Sequence, residues 1–174
     1  LQIDPNGRIW IGGNGRGDSH ILVFDRDGNF LKQIGEPGQG VASNDTTSFA
    51  RPAKISFDEE GSEAFVADGY GNTRIAVRDA ETGEFLRYWG AYGNQPEDVD
   101  LGPYDPDEPL PEQFRNPVHC AEPTNDGMLY VCDRVNNRIQ VFRQDGTFVE
   151  EKQIAPETLG DGAVWEIAFS PDQS

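Results

Sequence analysis

Residues 128–149 read MLYVCDRVNNRIQVFRQDGTFV, and this stretch decides the fold. Ile139 and Val141 stand at every second position in the middle of it, and Asp145-Gly146 follows before the next apolar residues. Apolar residues at a period of two are typical of β-strands, and Asp-Gly is typical of the tight turn between two strands. The stretch therefore predicts short antiparallel strands joined by tight turns.

The same phrase occurs twice earlier in the chain. Residues 63–86 read EAFVADGYGNTRIAVRDAETGEFL, and residues 8–31 read RIWIGGNGRGDSHILVFDRDGNFL. Another strand-like run precedes the later copies at 52–57 and 117–122, and a related run stands near the end at 164–169. No stretch has a helical period. These repeats predict an all-β fold built from a unit of four short antiparallel strands.

The repeats divide the chain into approximate units at 1–48, 49–113 and 114–163, and a next unit is expected to begin at 164–174. The copies lie farther apart than the usual 40–50 residues because of two long connections, at 36–48 and 91–115. The second is a long acidic loop. Insertions between repeats fall on one face, where binding sites often lie, so we expect function at the loop-bearing face.

The repeated pattern resembles the NHL repeat, the unit of the NHL β-propellers. It consists of a Pro, an inner strand, an aromatic-Val-x-Asp strand, Asn-x-Arg-Ile and Asp-Gly-x-Phe, and the third copy carries it from Pro117 through 130–133 (YVCD) to 136–142 (NNRIQVF). The resemblance covers nearly the whole chain. It implies four-stranded blades in a ring of about six. Three copies are expected to be a fragment of a longer chain, the alternative being a homodimer that closes a six-bladed ring.

Two acid–arginine pairs are expected to fix the turn between the middle strands of the later copies: Asp68 with Arg74, and Asp133 with Arg138. In the first copy Gly13 and His20 stand at these two positions, so both members of the pair change together. Charged hydrogen bonds across a hairpin would hold the turn. We interpret these pairs as structural rather than catalytic.

Three ionisable residues occupy one register of the inner strands, namely Lys54, His119 and Glu166. We expect them to converge on the mouth of the central channel, where burial and mutual charge shift pKa values. The favoured interpretation is a solvated channel with a Lys–Glu pair and a hydrogen-bonded His. The alternative is a metal or substrate site, in which His119 ligates metal, Glu166 is a ligand or base and Lys54 binds an anionic group.

The resemblance also bears on catalysis. Peptidyl-hydroxyglycine amidating lyases are similar propellers that hold zinc with channel His residues following Pro, and 116–119 (NPVH) resembles that pattern with His119 one place later. The family needs three such His, and this chain offers one. A zinc enzyme of this type, or one resembling the gluconolactonase propellers, is therefore the alternative function, with His119, Glu166 and Lys54 as its catalytic candidates.

Two further features leave alternatives open. Asp105 and Asp107 in the acidic loop could bind Ca²⁺, although a solvated acidic loop is favoured because prolines keep the carboxylates apart. Cys120 and Cys132 are expected to lie near each other on adjacent strands, about one residue out of register. A disulfide is possible, but two buried thiols are favoured.

Charge and hydropathy exclude several partners. The 174 residues include 31 acidic and 14 basic ones, for a formal net charge of −17. A nucleic acid or an anionic membrane would be repelled, and no apolar run is long enough for a membrane span. An exported protein, periplasmic or extracellular, is expected. Its signal is not visible because the first residue is Leu1 and the N-terminus is expected to be truncated.

These observations favour a binding scaffold that recognises a protein or small ligand at the loop-bearing channel mouth, without catalysis. The metal-dependent propeller enzyme is the alternative, and a purely architectural blade array is the third possibility. The repeats predict the fold but not the function, because propellers host binding modules and enzymes alike.

Overall fold

The computed structural model describes residues 1–38 and 40–170. The described chain is all-β and forms three four-stranded antiparallel sheets, as the repeats predicted. In chain order the strands are β1 (Gln2–Ile3), β2 (Ile9–Gly12), β3 (Ile21–Phe24), β4 (Phe30–Ile34), β5 (Lys54–Phe57), β6 (Glu63–Asp68), β7 (Arg74–Asp79), β8 (Phe85–Trp89), β9 (Val118–Pro123), β10 (Met128–Asp133), β11 (Arg138–Arg143) and β12 (Phe148–Gln153). One 3₁₀ turn, Ala91–Gly93, follows β8.

Each sheet is one sequence repeat, and its strands are neighbours in chain order. We call β1–β4, β5–β8 and β9–β12 the first, second and third blades. Tight turns close the outer hairpins: the Gly28 N–H donates to the Asp25 carbonyl at 3.1 Å, and the Gly146 N–H to the Arg143 carbonyl at 2.9 Å. Both glycines have a positive φ, of 84° and 95°, a conformation that glycine adopts at little cost.

The hydrophobic core consists of three clusters, and the two larger ones lie on the two faces of the second blade. The third contains Cys120, Cys132 and Val164. Phe65, Ile75 and Val77 face the third blade, whereas Val66 and Ala76 face the first. The period of two in β6 and β7 therefore separates two buried faces. It does not separate a core face from a solvent face, because blades cover the second blade on both sides. The middle strands β6 and β7 are thus buried over nearly their whole length.

The acid–arginine pairs lie at the ends of the middle strands. Arg74 Nε donates to Asp68 Oδ2 at 2.9 Å, and Arg138 Nε donates to Asp133 Oδ2 at 2.7 Å. All four side chains are fully buried. Each aspartate also accepts a backbone N–H from the segment that leads into its own blade, from Ala50 for Asp68 and from Arg115 for Asp133. The pairs thus tie each blade to its incoming connection.

Cys120 and Cys132 form a disulfide, contrary to the favoured prediction of two thiols. The two residues are direct partners in the β9–β10 register, with Cα atoms 4.8 Å apart. The predicted offset of one residue is absent because the register shifts next to this pair: Cys132 opposes Cys120, but Asp133 opposes Val118. His119 is therefore the extra residue of a β-bulge.

Residues 164–169 do not form the strand that was predicted there. They pack by their side chains instead: the Phe169 ring contacts the Tyr130 ring at 5.1 Å, and Glu166 pairs with Lys54. The predicted start of a next unit at 164–174 extends beyond the described residues at 171–174. In residues 1–38 and 40–170 no helix has the length and apolar character needed to cross a bilayer.

The two long connections meet beside the β6–β7 turn. Ser43, from the first connection, donates its backbone N–H to Asp98 Oδ2 of the acidic loop at 3.0 Å, and its hydroxyl donates to Asp98 Oδ1 at 2.5 Å. The Thr73 N–H of the β6–β7 turn donates to the Ser43 hydroxyl at 2.9 Å. Both insertions therefore lie on one face, which we call the loop-bearing face.

Candidate functional site

Lys54, His119 and Glu166 line one cavity of about 300 Å³ at the start of the inner strands. The structure thus brings the three register residues together, but it divides them into two separate hydrogen-bonded groups. Lys54 and Glu166 bond to each other, whereas His119 bonds to neither of them.

Lys54 is the centre of an ion-pair cluster. Its Nζ lies 2.5 Å from Glu122 Oε1 of β9 and 2.5 Å from Glu166 Oε1. Burial acts to lower the pKa of Lys54, but the hydrogen bonds and charges of the two glutamates outweigh burial and raise it. Burial raises the pKa of Glu122 in spite of Lys54. The cluster ties the second blade to the third and to residues 164–170.

His119 leaves the inner-strand register because of the bulge in β9. The neighbouring Val118 and Cys120 are both buried, and His119 between them is half-buried. Its Nδ1 lies 2.5 Å from the Trp165 carbonyl oxygen, and its Nε2 lies 3.1 Å from the Tyr70 hydroxyl. A carbonyl can only accept, so Nδ1 carries the proton in the neutral ring, and Nε2 accepts the proton of Tyr70. The bulge thus aims His119 at Tyr70.

The ring of His119 belongs to a row of four side chains in successive contact, which we call the Tyr–Arg row: Tyr70, His119, Trp165 and Arg134. The ring centroids of Tyr70 and His119 are 5.8 Å apart, and those of His119 and Trp165 are 5.5 Å apart, both edge to face. The Arg134 guanidinium lies 4.2 Å from the Trp165 ring centroid, within the range of a cation–π contact. The row links the second blade, the third blade and residue 165.

Both ends of the Tyr–Arg row, Tyr70 and Arg134, line a groove of about 750 Å³ on the loop-bearing face. The acidic loop forms one wall through residues 99–104, and residues 159–161 form another. Arg134 is 7% exposed, and its Nε is buried without a hydrogen-bond partner among the described residues. Its nearest carboxylate is the exposed Asp161, 3.6 Å from Nη2. The groove therefore contains a buried cation with an unused donor.

The second arginine of this groove is already engaged. Arg115 Nε donates to Asn136 Oδ1 at 2.9 Å, and its Nη1 donates to the Leu101 carbonyl at 3.1 Å and to the Gly102 carbonyl. Burial lowers the pKa of Arg115. Arg115 thus holds the acidic loop in place, and Arg134 is the arginine that remains available to a ligand.

The side chains at the predicted metal positions have other partners within the described chain. Both ring nitrogens of His119 are hydrogen-bonded, and Glu166 is paired with Lys54. In the acidic loop Asp105 Oδ1 accepts the Asp107 N–H at 3.0 Å, which is an ordinary turn. No group of three or more His, Cys, Asp or Glu side chains with ligand geometry exists within the described ranges.

Sequence reasoning missed three members of the Tyr–Arg row: Tyr70, Trp165 and Arg134. Tyr70 had one usable signal, an aromatic residue between Gly69 and Gly71 in a turn, where no core requires it. Arg134 and Trp165 had none, because their proximity depends on how residues 159–165 pass over the third blade.

Comparison with known proteins supports the fold. No family model matches the chain. Peptidyl-glycine alpha-amidating monooxygenase A of Xenopus laevis is 30% identical over 98% of this chain and 19% of its own length. Peptidyl-alpha-hydroxyglycine alpha-amidating lyase 1 of Drosophila melanogaster is 25% identical over 98% of this chain and 29% of its own length. The chain thus spans less than a third of either relative.

Two solved structures are similar in fold. A Lactobacillus plantarum protein has a TM-score of 0.55 and 20% identity over 87% of this chain and 40% of its own. Kuenenia stuttgartiensis hydrazine synthase has a TM-score of 0.60 and 18% identity over 98% of this chain and 40% of its own. Together with the three four-stranded blades, these similarities confirm the predicted β-propeller.

Proposed function

We propose that this chain, which belongs to the NHL-type β-propellers, binds a small carboxylate-bearing ligand in the groove between the Tyr–Arg row and the acidic loop. The observation that carries the proposal is Arg134, a 7% exposed arginine that lines the groove and whose nearest carboxylate is the exposed Asp161, 3.6 Å from Nη2. This proposal keeps the binding scaffold that the sequence favoured. It differs in the location of the site, which is the groove beside the Tyr–Arg row and not the cavity at Lys54.

Arg134 is suited to a carboxylate. A guanidinium presents donors in a planar fork that matches the two oxygens of a carboxylate. The cation–π contact with Trp165, 4.2 Å from the ring centroid, restricts the position of the guanidinium before a ligand arrives. Because Nε is itself buried, a carboxylate in the groove would accept from the terminal nitrogens of Arg134 and would replace the exposed Asp161 beside Nη2.

The relatives suggest the rest of the ligand. The Drosophila relative is named as a lyase of peptidyl-α-hydroxyglycine, which is a peptide that ends in a carboxylate next to a hydroxyl-bearing carbon. Tyr70 lies along the row from Arg134, and its hydroxyl oxygen can accept a hydrogen bond from such a hydroxyl while its own proton is donated to His119 Nε2. We therefore propose an N-acyl amino acid or peptide end as the ligand class.

Lyase activity is the second candidate, favoured by the similarity to the Drosophila lyase over 98% of this chain. In that reaction the hydroxyl of the hydroxyglycine loses its proton, a C=O bond forms as the C–N bond breaks, and the amide nitrogen takes up a proton. The products are an amide and glyoxylate. Tyr70, whose proton points at His119 Nε2, is the residue placed to move the hydroxyl proton.

The binding test uses the intact protein and N-acetylglycine, which cannot react. Calorimetry should detect binding, and Arg134→Gln should weaken it at least tenfold, because about 1.4 kcal/mol corresponds to a factor of ten. Arg143→Gln is the matched control, since Arg143 is exposed at the opposite end of β11 and outside the groove. Equal binding by the wild type and Arg134→Gln would refute the proposal.

Catalysis is tested separately with N-acetyl-α-hydroxyglycine. Release of glyoxylate that Tyr70→Phe reduces at least a hundredfold, with N-acetylglycine binding retained, would establish the lyase. Binding without glyoxylate release would establish the scaffold. If neither compound binds, both candidate functions fail.

Compartment and assembly are also proposals. The Cys120–Cys132 disulfide supports an oxidising compartment and hence export, because such bonds persist mainly outside the cytosol. A six-bladed ring remains a prediction, whether it is completed by one longer chain or by a homodimer.

A further inference from the structure

A second cleft of about 750 Å³ lies on the same face, between the first and second blades. Arginines and glycines dominate its lining, which includes Arg16, Gly17, Gly40, Arg51 and Gly71. None of the described lining residues is acidic. In a chain with 31 acidic and 14 basic residues, a cleft with two cations and no carboxylate in its lining is unusual.

Arg51 is held in a strained backbone conformation. Its φ is 59°, in the left-handed region that few side chains other than those of Asn and Asp favour. The Arg51 N–H donates to the Asp18 carbonyl at 3.1 Å, and the Arg51 carbonyl accepts the Tyr70 N–H at 3.3 Å. Hydrogen bonds from the turns of two neighbouring blades thus hold the strain in place.

The third blade does not share this backbone conformation. Asn116 precedes Pro117 as Arg51 precedes Pro52, but Asn116 has no positive φ, and its peptide bond to Pro117 is cis. A strained residue kept in place by its surroundings is typical of functional sites. The strain at Arg51 is therefore particular to this cleft, where it places an arginine, with its guanidinium, in the lining. That group is fixed by a hydrogen bond from Nη2 to the Tyr70 carbonyl.

Arg16 provides the second cation. It is exposed in the turn between β2 and β3, and no hydrogen bond or ion pair joins it to another residue of the described chain. The carboxylate of Asp18, the nearest acid in sequence, accepts the Gly15 N–H at 2.6 Å within the same turn. The glycines around the cleft have no side chains, so a ligand can approach both the guanidinium groups and the backbone.

We propose that Arg16 and Arg51 form an oxyanion-binding site for a carboxylate or phosphate group, separate from the Arg134 groove. Guanidinium groups bind both oxyanions by charged hydrogen bonds. The β6–β7 turn separates the two sites: its Gly71 lines this cleft, and its Tyr70 lines the groove. The site goes beyond the proposed function, because it requires neither Arg134 nor Tyr70's hydroxyl.

The test follows the Nε–Hε signals of Arg16 and Arg51 by NMR in the intact protein, titrated with inorganic phosphate or with acetate in matched chloride. At least one anion should shift both signals and saturate. Arg51→Asn should weaken that binding at least tenfold, and Arg16→Gln at least threefold. Whichever anion binds more tightly identifies the ligand as a phosphate or a carboxylate.

Arg51→Asn also separates binding from folding. Asn suits the left-handed conformation better than arginine, so the unfolding midpoint should stay the same or rise while binding is lost. Arg26→Gln, a change of the same charge at an exposed turn beyond the far end of β3, should leave binding unchanged. Arg134→Gln should also leave it unchanged, even if the carboxylate proposal for the groove fails.

Three results would overturn the proposal. The first is that neither anion produces saturable shifts. The second is that Arg26→Gln weakens binding as much as Arg16→Gln, which would show that the net charge of the protein, and not a specific site, determines anion binding. The third is that Arg134→Gln abolishes the shifts, which would place the anion in the groove.

Discussion

The buried Asp133–Arg138 pair illustrates how strongly single residues determine stability here. Asp133→Asn should lower the free energy of unfolding by about 3 kcal/mol, the lower end of the cost of breaking a buried pair, because Arg138 keeps Glu151 as a carboxylate partner 3.3 Å from Nη1. Urea unfolding measures the change. The control is Glu81→Gln, which removes an ion pair of Arg8 with a glutamate that is 82% exposed and should cost at most about 1 kcal/mol. Equal losses would mean that burial of the pair does not matter.

The sequence allowed these pairs to be inferred, because both members are replaced together in the first repeat, by Gly13 and His20. The Tyr–Arg row could not be inferred in the same way. Its members Tyr70, His119 and Arg134 come from two blades, and their contact depends on a bulge and on the course of a distant segment. Comparison of the repeats identifies the residues that recur in the blades. The residues of the Tyr–Arg row do not recur, so that comparison does not find them.

At the scale of elements, the β9–β10 hairpin depends on its disulfide. The Cys120→Ser/Cys132→Ser variant should lose about 2–3 kcal/mol of unfolding free energy, since a bond between residues 12 positions apart restricts the unfolded chain modestly. Urea unfolding with and without reductant measures this. Reductant should destabilise the wild type by a similar amount and leave the variant unchanged. A reductant effect of equal size on the variant would contradict the assignment.

Strand periods and turns were predictable for the three blades, but two features of elements were not. The bulge that places Cys120 opposite Cys132 has no local sequence signal, since a strand's register is set by its partner. The apolar run at 164–169 has strand-like residues, yet its side chains pack against Lys54 and Tyr130 without forming a strand. Local propensity is therefore necessary but not sufficient for a strand.

At the scale of the whole molecule, stacking of blades explains both the core and the sites. The middle strands of the second blade pack against a neighbouring blade on each face, so their apolar residues on both faces are buried. The clefts lie where the turns of adjacent blades meet under the long connections. Which side chains line them could not be read from one repeat, because each cleft takes residues from two.

Lys54 connects distant parts of the molecule, and its contribution should depend on pH. Its pKa in the folded state is raised above the ordinary 10.5, since hydrogen bonds to Glu122 and Glu166 outweigh burial. A cation whose pKa rises on folding stabilises the protein fully below its unfolded pKa and loses that contribution as pH rises through the folded value. The stabilisation should therefore be complete at pH 8 and decline only in the strongly alkaline range.

Lys54→Met keeps the apolar stem and removes the charge. At pH 8 the variant should unfold about 1–2 kcal/mol more easily than the wild type, a value discounted for the partial exposure of the cluster. At pH 11 the difference, measured by urea unfolding, should be smaller. In the unfolded wild type part of Lys54 is then neutral and must take up a proton to form the ion pairs. Lys152→Met, at an exposed lysine of β12, should show no such trend. A difference that stays constant from pH 8 to pH 11 would show that the charge of Lys54 does not hold the second and third blades together at this point.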